Sequence, residues 1–377
     1  MGIEAHHSRT RANILPPMAE LVHGPVLIAD LGGYTRFLTG TELDHAHDIL
    51  ADLIGVVAEA LRPSIPIEKL EGDAVFCAGS SGTVPPETVL STIESCYASF
   101  ARRRRTINSL TTCSCAACAA IPQLALKFVA HHGEWMARDI AGSRELVGTD
   151  VIRVHRLLKN SVAEDTRVRA YALLTNSLLG AIGNDAERLG DEHDERYEDC
   201  GEIKGRVLDL DARWHEREAA ADVVVSPGEA AMSFSATTRA SPAQLWELIT
   251  DPRHQRVWRV TATSVTMNDP AGARGVGSET HCVHGKTVIH QEIVDYKPPR
   301  HMTYDERNPL GRMRWTYLLE PPEGGGTRLT LRGQLLDGRL QRAKLALARR
   351  VINREVGYSV EALIEYGNRI AAAAQLD

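Results

Sequence analysis

The spacing of apolar residues divides the chain into two parts with different patterns. In the first part, short apolar runs at 26–29, 74–77 and 124–130 alternate with stretches such as 43–61, where apolar residues recur every three to four positions. Such runs are typical of buried strands, and the recurring positions are typical of amphipathic helices. Their order along the chain predicts an α/β sandwich with a central sheet of mixed direction.

After residue 228 the apolar residues follow a period of two. Six stretches between residues 260 and 336 alternate in this way, and turns rich in proline and glycine separate them. They follow a predicted strand at 231–238 and a helix that begins at Ser241 and Pro242. A final stripe at helical spacing predicts one long helix over 340–373. The second part is therefore predicted to be an antiparallel sheet with a long C-terminal helix.

Length and composition place this pattern in a two-domain α+β protein. The chain has 377 residues, of which 43% are hydrophobic and 24% charged, as in ordinary globular proteins. We predict a flexible leader at 1–20, a first domain at 21–212, a linker at 213–228 and a second domain at 229–377. The linker prediction rests on a charged, then alanine- and valine-rich stretch that ends at a Ser-Pro-Gly turn.

Charge and cysteine content narrow the classes of function. A net charge of −6 gives no reason to expect a nucleic-acid partner, and no apolar run is long enough for a transmembrane segment. The N-terminal stretch lacks the apolar region of a signal peptide. Seven cysteines, an odd number with three clustered, argue against a secreted disulfide framework. These observations predict a cytoplasmic location.

Two apolar strands each place an aspartate at their end. Asp30 precedes the turn of Gly32 and Gly33 and the polar Thr35, and Asp73 lies at the turn of a predicted hairpin. Carboxylates hold divalent cations, and the backbone N–H groups of a glycine turn face phosphate oxygens. Asp followed by Gly is also an ordinary turn. Two such elements separated by one helix favour a site for a metal-bound phosphate.

A second group of candidate ligands is a run of three cysteines, Cys113, Cys115 and Cys118. Three thiols within six residues can hold Zn²⁺ when a fourth ligand completes a tetrahedron. The candidates for that ligand are Cys96, Cys200 and His131. Alternatively, the segment is a loop of small residues whose cysteines only pack.

Residues 24–212 resemble the catalytic domain of class III nucleotidyl cyclases, the adenylate and guanylate cyclases, and more closely an uncharacterised bacterial branch of that superfamily. The segment from Asp30 to Thr35 resembles the first metal-aspartate motif. Lys69-Leu-Glu-Gly-Asp73 resembles the cyclase lysine followed by the second metal aspartate. The resemblance implies a ferredoxin-like α/β sandwich that binds Mg²⁺ or Mn²⁺ at the two aspartates, with Gly32, Gly33 and Thr35 at the nucleotide.

The same resemblance assigns the other positions of a cyclase site. Lys69 and Glu145 match the pair that recognises adenine, Arg156 matches the arginine that stabilises the transition state, and Lys204 matches the lysine that contacts the triphosphate. The family has an asparagine where this chain has Ile152. Isoleucine cannot donate a hydrogen bond, and loss of one such donor costs about 10²–10³ in rate.

The resemblance also implies an activity and partners. A cyclase converts ATP, or GTP, to the cyclic nucleotide and pyrophosphate, and here ATP is favoured. Because the family's site forms between two domains and this chain has one copy, the activity requires a head-to-tail homodimer. The alternative is a catalytically inactive module that retains nucleotide or metal binding, or serves for dimerisation, in a sensor or carrier of a hydrophobic ligand.

Residues 229–377 resemble the START-like polyketide cyclase/SRPBCC superfamily, of which the segments SPAQLWELITDP and VDYKPPRHMTYDE are typical. The resemblance implies a helix-grip fold whose sheet and long helix enclose an apolar pocket for a lipid or other hydrophobic small molecule. Each predicted pocket residue can instead be part of the core, and these residues are Trp258, Trp315, Tyr317 and Val356. A third hypothesis places catalysis in this domain, on His281, His284, His290 and Glu292.

Overall fold

The computed structural model describes residues 20–39, 43–110, 113, 115–183, 189–269, 273–285, 287–308, 311–337 and 339–374. Within them the chain forms two separate sheets, each with its own helices, so the predicted α+β fold with two domains is confirmed. The predicted leader lies outside the described residues, apart from residue 20. No helix in the described part of the chain is long and apolar enough to cross a membrane.

The first domain contains an eight-stranded sheet in the order β2-β3-β1-β4-β6-β8-β7, with β5 paired to β4. The strands β4 and β6 are parallel and the other neighbours are antiparallel. The elements are β1 (Leu21–Gly32), α1 (Tyr34–Thr39), α2 (Leu43–Leu61), β2 (Ile67–Glu71), β3 (Ala74–Ala78), α3 (Pro86–Leu110), α4 (Ala116–Ala120), a 3-10 helix (Ile121–Gln123), β4 (Ala125–Ile140), β5 (Ser143–Val147), α5 (Thr149–Leu157), α6 (Val162–Thr166), β6 (Tyr171–Thr175), α7 (Asn176–Ile182), β7 (Asp191–Tyr197), β8 (Gly201–Asp209) and α8 (Leu210–Ala219).

The sheet is covered on both faces, which is why its central strands are apolar throughout. Along β1, Leu27 and Ala29 pack with α2 and α3, whereas Val26 and Ile28 pack with α5 on the opposite face. Side chains alternate between faces along a strand, so a strand buried on both sides has no polar positions until its end. Asp30 is the first partly exposed residue after the buried run 24–29 of β1.

The second domain is a seven-stranded antiparallel sheet in the order β10-β11-β12-β13-β14-β15-β9. The elements are β9 (Met232–Thr238), α9 (Pro242–Thr250), α10 (Pro252–Trp258), β10 (Ser264–Asn268), β11 (Glu279–His284), β12 (Thr287–Lys297), β13 (His301–Asn308), β14 (Gly311–Glu320), β15 (Thr327–Leu335) and α11 (Arg339–Ala373). Val360 and Leu363 of α11 belong to the buried core together with Trp246 and Leu329. The predicted helix-grip arrangement of sheet and long helix is confirmed.

The segment predicted as a linker differs from the prediction because it begins inside α8. Arg213 and Arg217 both bind the buried carboxylate of Glu94 on α3, at 2.6 and 2.9 Å. Trp214 is buried, and the guanidinium of Arg105 lies 4.4 Å from its ring centroid. The charged residues that suggested a linker therefore belong to a helix, and two of them form ion pairs that hold this helix on the first domain.

The two domains contact each other through polar groups. Helix α9 packs on α2 and α3, where Ser64 donates to Glu247 Oε2 at 2.8 Å. At the start of α10, His254 Nε2 lies 2.7 Å from the carbonyl oxygen of Pro63, and Arg253 donates to the carbonyl oxygen of Ser64 at 3.0 Å. These contacts hold the loop between α2 and β2, which leads into the strand that contains Lys69.

Candidate functional site

Asp30 and Asp73 lie together in a cavity of about 460 Å³, which we call the aspartate cavity. Strand β1 places Asp30 at its end, and the turn between β2 and β3 places Asp73 beside it. The backbone N–H of Leu31 donates to the carbonyl oxygen of Asp73 at 3.3 Å and holds the two segments together. Both turns depend on glycine, since Gly33 has φ +90° and Gly72 has φ +67°. The same cavity is lined by Gly32, Gly33 and Thr35.

Two basic residues that sequence analysis missed also line the aspartate cavity, Lys127 and Arg169. Lys127 lies opposite Asp30 in the register of β1 and β4, and its Nζ is 3.0 Å from Asp30 Oδ2. Arg169 is anchored by a hydrogen bond to the carbonyl oxygen of Gln123. The signal for Lys127 was a single charge inside an otherwise apolar strand; Arg169, in the loop before β6, had no such signal.

The donor set fits a hard divalent cation such as Mg²⁺ or Mn²⁺. Burial, followed by the negative charge of Asp30, raises the pKa of Asp73 above its ordinary value, whereas Lys127 lowers it. A divalent cation between two carboxylates stabilises their negative charge. Lys127 offsets one of the two negative charges, so a cation would share Asp30 with this lysine. When bound, the cation would hold and polarise phosphate oxygens.

The predicted base-recognition pair is brought together at the surface. Lys69 Nζ on β2 lies 2.9 Å from Glu145 Oε1 on β5, and the adjacent Arg144 binds Glu68 at 2.9 Å. The hydrogen bond and charge of Glu145 raise the pKa of Lys69. Neither Lys69 nor Glu145 is among the residues around the aspartate cavity of the same copy.

The positions that the resemblance assigns to the transition state and to the triphosphate do not line the aspartate cavity of the same copy. Helix α5 presents Ile152, which is 52% exposed, one turn before Arg156. Arg156 donates to Asp199 at 2.5 Å, and half of its side chain is accessible. Lys204 on β8 is exposed and lies 3.8 Å from Glu202. In one copy of the described chain, these residues do not reach the aspartate cavity.

The three clustered cysteines are brought together, but the predicted fourth ligands are not. The sulfur atoms of Cys113, Cys115 and Cys118 all lie within 4.8 Å of one another, and no other His, Cys, Asp or Glu of the described residues joins this group. Cys96 is buried and donates to the carbonyl oxygen of Val57. His131 is buried in the sheet, and its Nε2 lies 3.2 Å from Asp150 instead of near the cysteines. Cys200 also lies outside the cluster.

The second domain encloses a cavity of about 560 Å³ between its sheet and α11, which we call the apolar pocket. Three of the four predicted residues line it, and these are Trp315, Tyr317 and Val356. Trp258 does not: it is 3% exposed, and its indole N–H donates to the carbonyl oxygen of Leu248 at 2.7 Å. Its prediction as a pocket residue is corrected, because this hydrogen bond turns the ring into the core between α9 and α10.

The guanidinium of Arg259 lies on one wall of the apolar pocket, a position that the sequence did not predict. Its Nη1 donates to the sulfur of Cys282 at 3.1 Å, and the guanidinium lies 5.2 Å from the centroid of the Trp258 ring. Its Nε is buried and has no hydrogen-bond partner among the described residues. The wall also contains the carboxylate of Glu306, which accepts from Gln291 at 2.8 Å.

The histidines proposed for catalysis in this domain do not meet in the pocket. His281 and His290 face each other across β11 and β12, with ring centroids 4.7 Å apart, and line a separate polar groove with Glu292. His284 alone lines the apolar pocket, where its Nδ1 lies 2.9 Å from Thr261 Oγ1. The alternation of side chains along the strands separates the groups on which this hypothesis depends.

Comparison with known proteins identifies relatives of both domains. Residues 50–166 match a family described as a protein of unknown function (DUF2652), and residues 229–366 match the family "polyketide cyclase / dehydrase and lipid transport". The uncharacterized protein Rv2561/Rv2562 of Mycobacterium tuberculosis is 31% identical over 168 residues, which are 43% of this chain and 73% of that protein.

Solved structures that are similar to the chain include two cyclases. A bacterial light-regulated adenylyl cyclase is 10% identical over 52% of this chain, with a TM-score of 0.39, and the match spans only 55% of that cyclase. The adenylyl cyclase CyaB from P. aeruginosa is 13% identical over 51% of this chain and 96% of its own, with a TM-score of 0.39. A third similar structure, which is not described as a cyclase, is protein MLL2253 from Mesorhizobium loti. It is 17% identical over 35% of this chain and 95% of its own, with a TM-score of 0.29.

Proposed function

We propose a nucleotide-binding function for this chain, which belongs to the same family as the Mycobacterium tuberculosis protein Rv2561/Rv2562. The first domain binds a nucleoside triphosphate together with Mg²⁺ or Mn²⁺. The second domain binds an apolar molecule that has an anionic group. The observation that supports the first function is the aspartate cavity, where two carboxylates, a glycine turn and two basic side chains surround one space.

Each group around the aspartate cavity has a place in triphosphate binding. Asp30 and Asp73 hold the cation, the N–H groups of the glycine turn face phosphate oxygens, and Lys127 and Arg169 offset the remaining negative charge. The pair of Lys69 and Glu145 offers one donor and one acceptor for the edge of a base. The cyclase resemblance assigns this combination to adenine, so ATP is the preferred nucleotide.

Cyclisation of the bound nucleotide in a homodimer is the second candidate function. The exposed positions of Arg156 and Lys204 favour it, because groups that act in a second copy's cavity must be accessible in the first. In such a dimer the guanidinium would stabilise charge on the transferring phosphoryl group. Ile152 offers no second donor beside it, so the expected rate is low.

The test of both candidates compares the wild-type chain with Ile152→Asn in the presence of ATP and Mn²⁺. We expect both proteins to bind ATP equally, and the variant to form cyclic AMP about 100-fold faster, because it restores one transition-state donor. Bound nucleotide is measured by equilibrium dialysis and product by chromatography. Ile140→Asn, which replaces another exposed isoleucine at the end of β4, is the matched control.

The outcomes separate the two functions. ATP binding without cyclic AMP from either protein contradicts cyclisation and leaves nucleotide binding supported. Absence of Mn²⁺-dependent ATP binding in the wild-type chain contradicts the proposal itself. An equal gain in Ile140→Asn would show that a polar surface, rather than a transition-state contact, raised the measured rate.

The proposal for the second domain depends on Arg259. Arg259 lies on the wall of a largely apolar cavity, and its buried Nε has no hydrogen-bond partner in the described part of the chain, so one donor of a charged group is left unsatisfied. A carboxylate, phosphate or sulfonate at the end of an apolar molecule would accept its hydrogen bond. The aromatic and aliphatic walls around Trp315, Tyr317 and Val356 would enclose the apolar part.

Arg259→Gln is expected to weaken binding of the anionic apolar dye anilinonaphthalene sulfonate by about 10- to 100-fold, the effect of losing a hydrogen bond to a charged group. Binding of the neutral analogue N-phenyl-1-naphthylamine should change by less than about threefold, since it has no anionic group. Both are measured by fluorescence titration of the full chain. Arg256→Gln, an exposed position on α10, is the control. An equal loss for both dyes, or none for either, contradicts anion recognition by Arg259.

Helix α10 connects the apolar pocket to the first domain. Arg259 follows its last residue, whereas His254 and Arg253 at its start bind the loop that precedes β2. His254 also lies 2.7 Å from the hydroxyl of Tyr366 on α11, the helix that covers the pocket. A ligand at Arg259 would therefore act on a helix whose other end holds the segment leading to Lys69 and Asp73. Such a ligand regulates the nucleotide site only if it favours one position of this helix.

A further inference from the structure

The three cysteines at the start of α4, which we call the thiol cluster, have properties of a ligand site rather than of core packing. Cys113 is exposed, Cys115 is half-buried and Cys118 is buried, so the cluster extends from the surface inward. The backbone N–H of Cys118 donates to the sulfur of Cys115 at 3.5 Å, which fixes the second thiol over the first turn of α4. A cysteine that only fills the core has no reason to be exposed, as Cys113 is.

We propose that the thiol cluster binds one thiophilic metal ion through three thiolates, either Cu⁺ in trigonal geometry or Zn²⁺ with a water molecule as its fourth ligand. Metal–sulfur bonds of about 2.3 Å place the sulfur atoms about 3.8–4.0 Å apart. The three sulfur atoms already lie within 4.8 Å of one another. Binding therefore requires them to move by less than about 1 Å, and soft thiolate ligands select these two ions.

An ion would also change the protonation of the cluster. Coordination requires thiolates, so the S–H bond of each of the three cysteines breaks and its proton is released to solvent. No electron is transferred in this step, and the bonds that form are three metal–sulfur bonds.

The position of the thiol cluster gives the ion a consequence for the first domain. Helix α4 continues into the 3-10 helix, and Ala120, Gln123 and Leu124 of this segment line the aspartate cavity. Gln123 also holds Arg169 through its carbonyl oxygen, and Leu124 accepts in the same way from Arg104. A metal that fixes the start of α4 would fix this wall. This consequence, unlike the metal site, rests on the proposed nucleotide function.

The test uses the reduced full chain, titrated with Co²⁺ as a spectroscopic substitute for Zn²⁺ and with Cu⁺ against a chromophoric chelator. We expect one ion per chain, with thiolate-to-metal charge transfer in the ultraviolet. Cys113→Ser and Cys115→Ser should each weaken binding by about 100-fold or more, since even an outer-shell partner contributes 10- to 100-fold. Cys200→Ser, a half-buried cysteine outside the cluster, should leave binding unchanged.

Binding of Cu⁺ alone supports the trigonal site, and binding of both ions supports the site with a fourth water ligand. Absence of both, or binding that survives Cys113→Ser, overturns the proposal; because Cys113 is exposed, this variant is expected to fold. The effect on the cavity is measured separately, as the affinity for ATP and Mn²⁺ with and without the thiophilic ion. An unchanged affinity overturns the link to the cavity, whereas failure of ATP binding in both states is a failure of the nucleotide proposal.

Discussion

Asp30→Asn is expected to abolish cation-dependent nucleotide binding, with a loss in affinity of about 100-fold or more. The substitution keeps the size of the side chain and removes one of the two carboxylates that face the aspartate cavity. It also leaves the ammonium of Lys127, 3.0 Å from Asp30 Oδ2, without its charge partner, so the cavity becomes more positive. Loss of a direct metal ligand should cost at least as much as the 10- to 100-fold loss seen for outer-shell partners.

The measurement is ATP affinity with Mn²⁺ and with a chelator, together with direct titration of Mn²⁺. Asp52→Asn is the matched control, because Asp52 pairs with Arg103 on the surface at 2.7 Å, away from the aspartate cavity. We expect the control to bind as the wild type does. If Asp30→Asn binds Mn²⁺ and ATP normally, the assignment of the cation to Asp30 and Asp73 is wrong. If it loses Mn²⁺ but keeps ATP, Lys127 and Arg169 suffice for the phosphates.

Arg274→Met is expected to lower the free energy of unfolding by about 3–5 kcal/mol, the usual cost of removing one partner of a buried ion pair. Arg274 and Glu247 are 2% and 1% exposed and lie 3.2 Å apart at the contact between the domains. Arg274 Nη1 also donates to Thr250 at 2.7 Å. Methionine fills the space of the side chain without its charge, so Glu247 is left buried and uncompensated.

Unfolding in urea, followed by tryptophan fluorescence, measures this effect. Arg196→Met is the control: Arg196 pairs with Glu202, but its side chain is 80% exposed, and surface pairs contribute about 0–1 kcal/mol. The double variant Arg274→Met with Glu247→Leu should recover much of the loss, since apolar replacements of a buried pair are often neutral. A loss below about 1 kcal/mol in Arg274→Met would contradict a structural role for the pair.

The sequence pattern predicted the elements well where one physical rule governs them. Runs such as 26–29 are apolar because β1 is covered on both faces, and the period of two after residue 260 follows from a sheet that packs one face on α11. Asp30 and Asp73 were found because each ends a strand beside a glycine turn. The pairing of Lys69 with Glu145, 76 positions apart, came from the family resemblance and not from the pattern.

Other residues were misplaced or missed because their role depends on orientation. Trp258 is an aromatic residue of the kind that lines pockets, but its hydrogen bond to the carbonyl oxygen of Leu248 turns it into the core. The neighbouring Arg259, which no pattern distinguishes, faces the pocket instead. The charged residues of 213–219 suggested a linker. In the structure they belong to α8, where two of their arginines bind Glu94.

By itself, the sequence determined the two domains, their fold class and the two aspartates, since periodicity and glycine turns are local properties of the chain. Only the tertiary structure decided which charges meet. Lys127 reaches Asp30 through the register of two strands almost 100 residues apart in the chain, and Arg169 reaches the same cavity from a loop held by Gln123. Electrostatic partners depend on distances of a few ångströms in space, and a linear pattern contains no such distance.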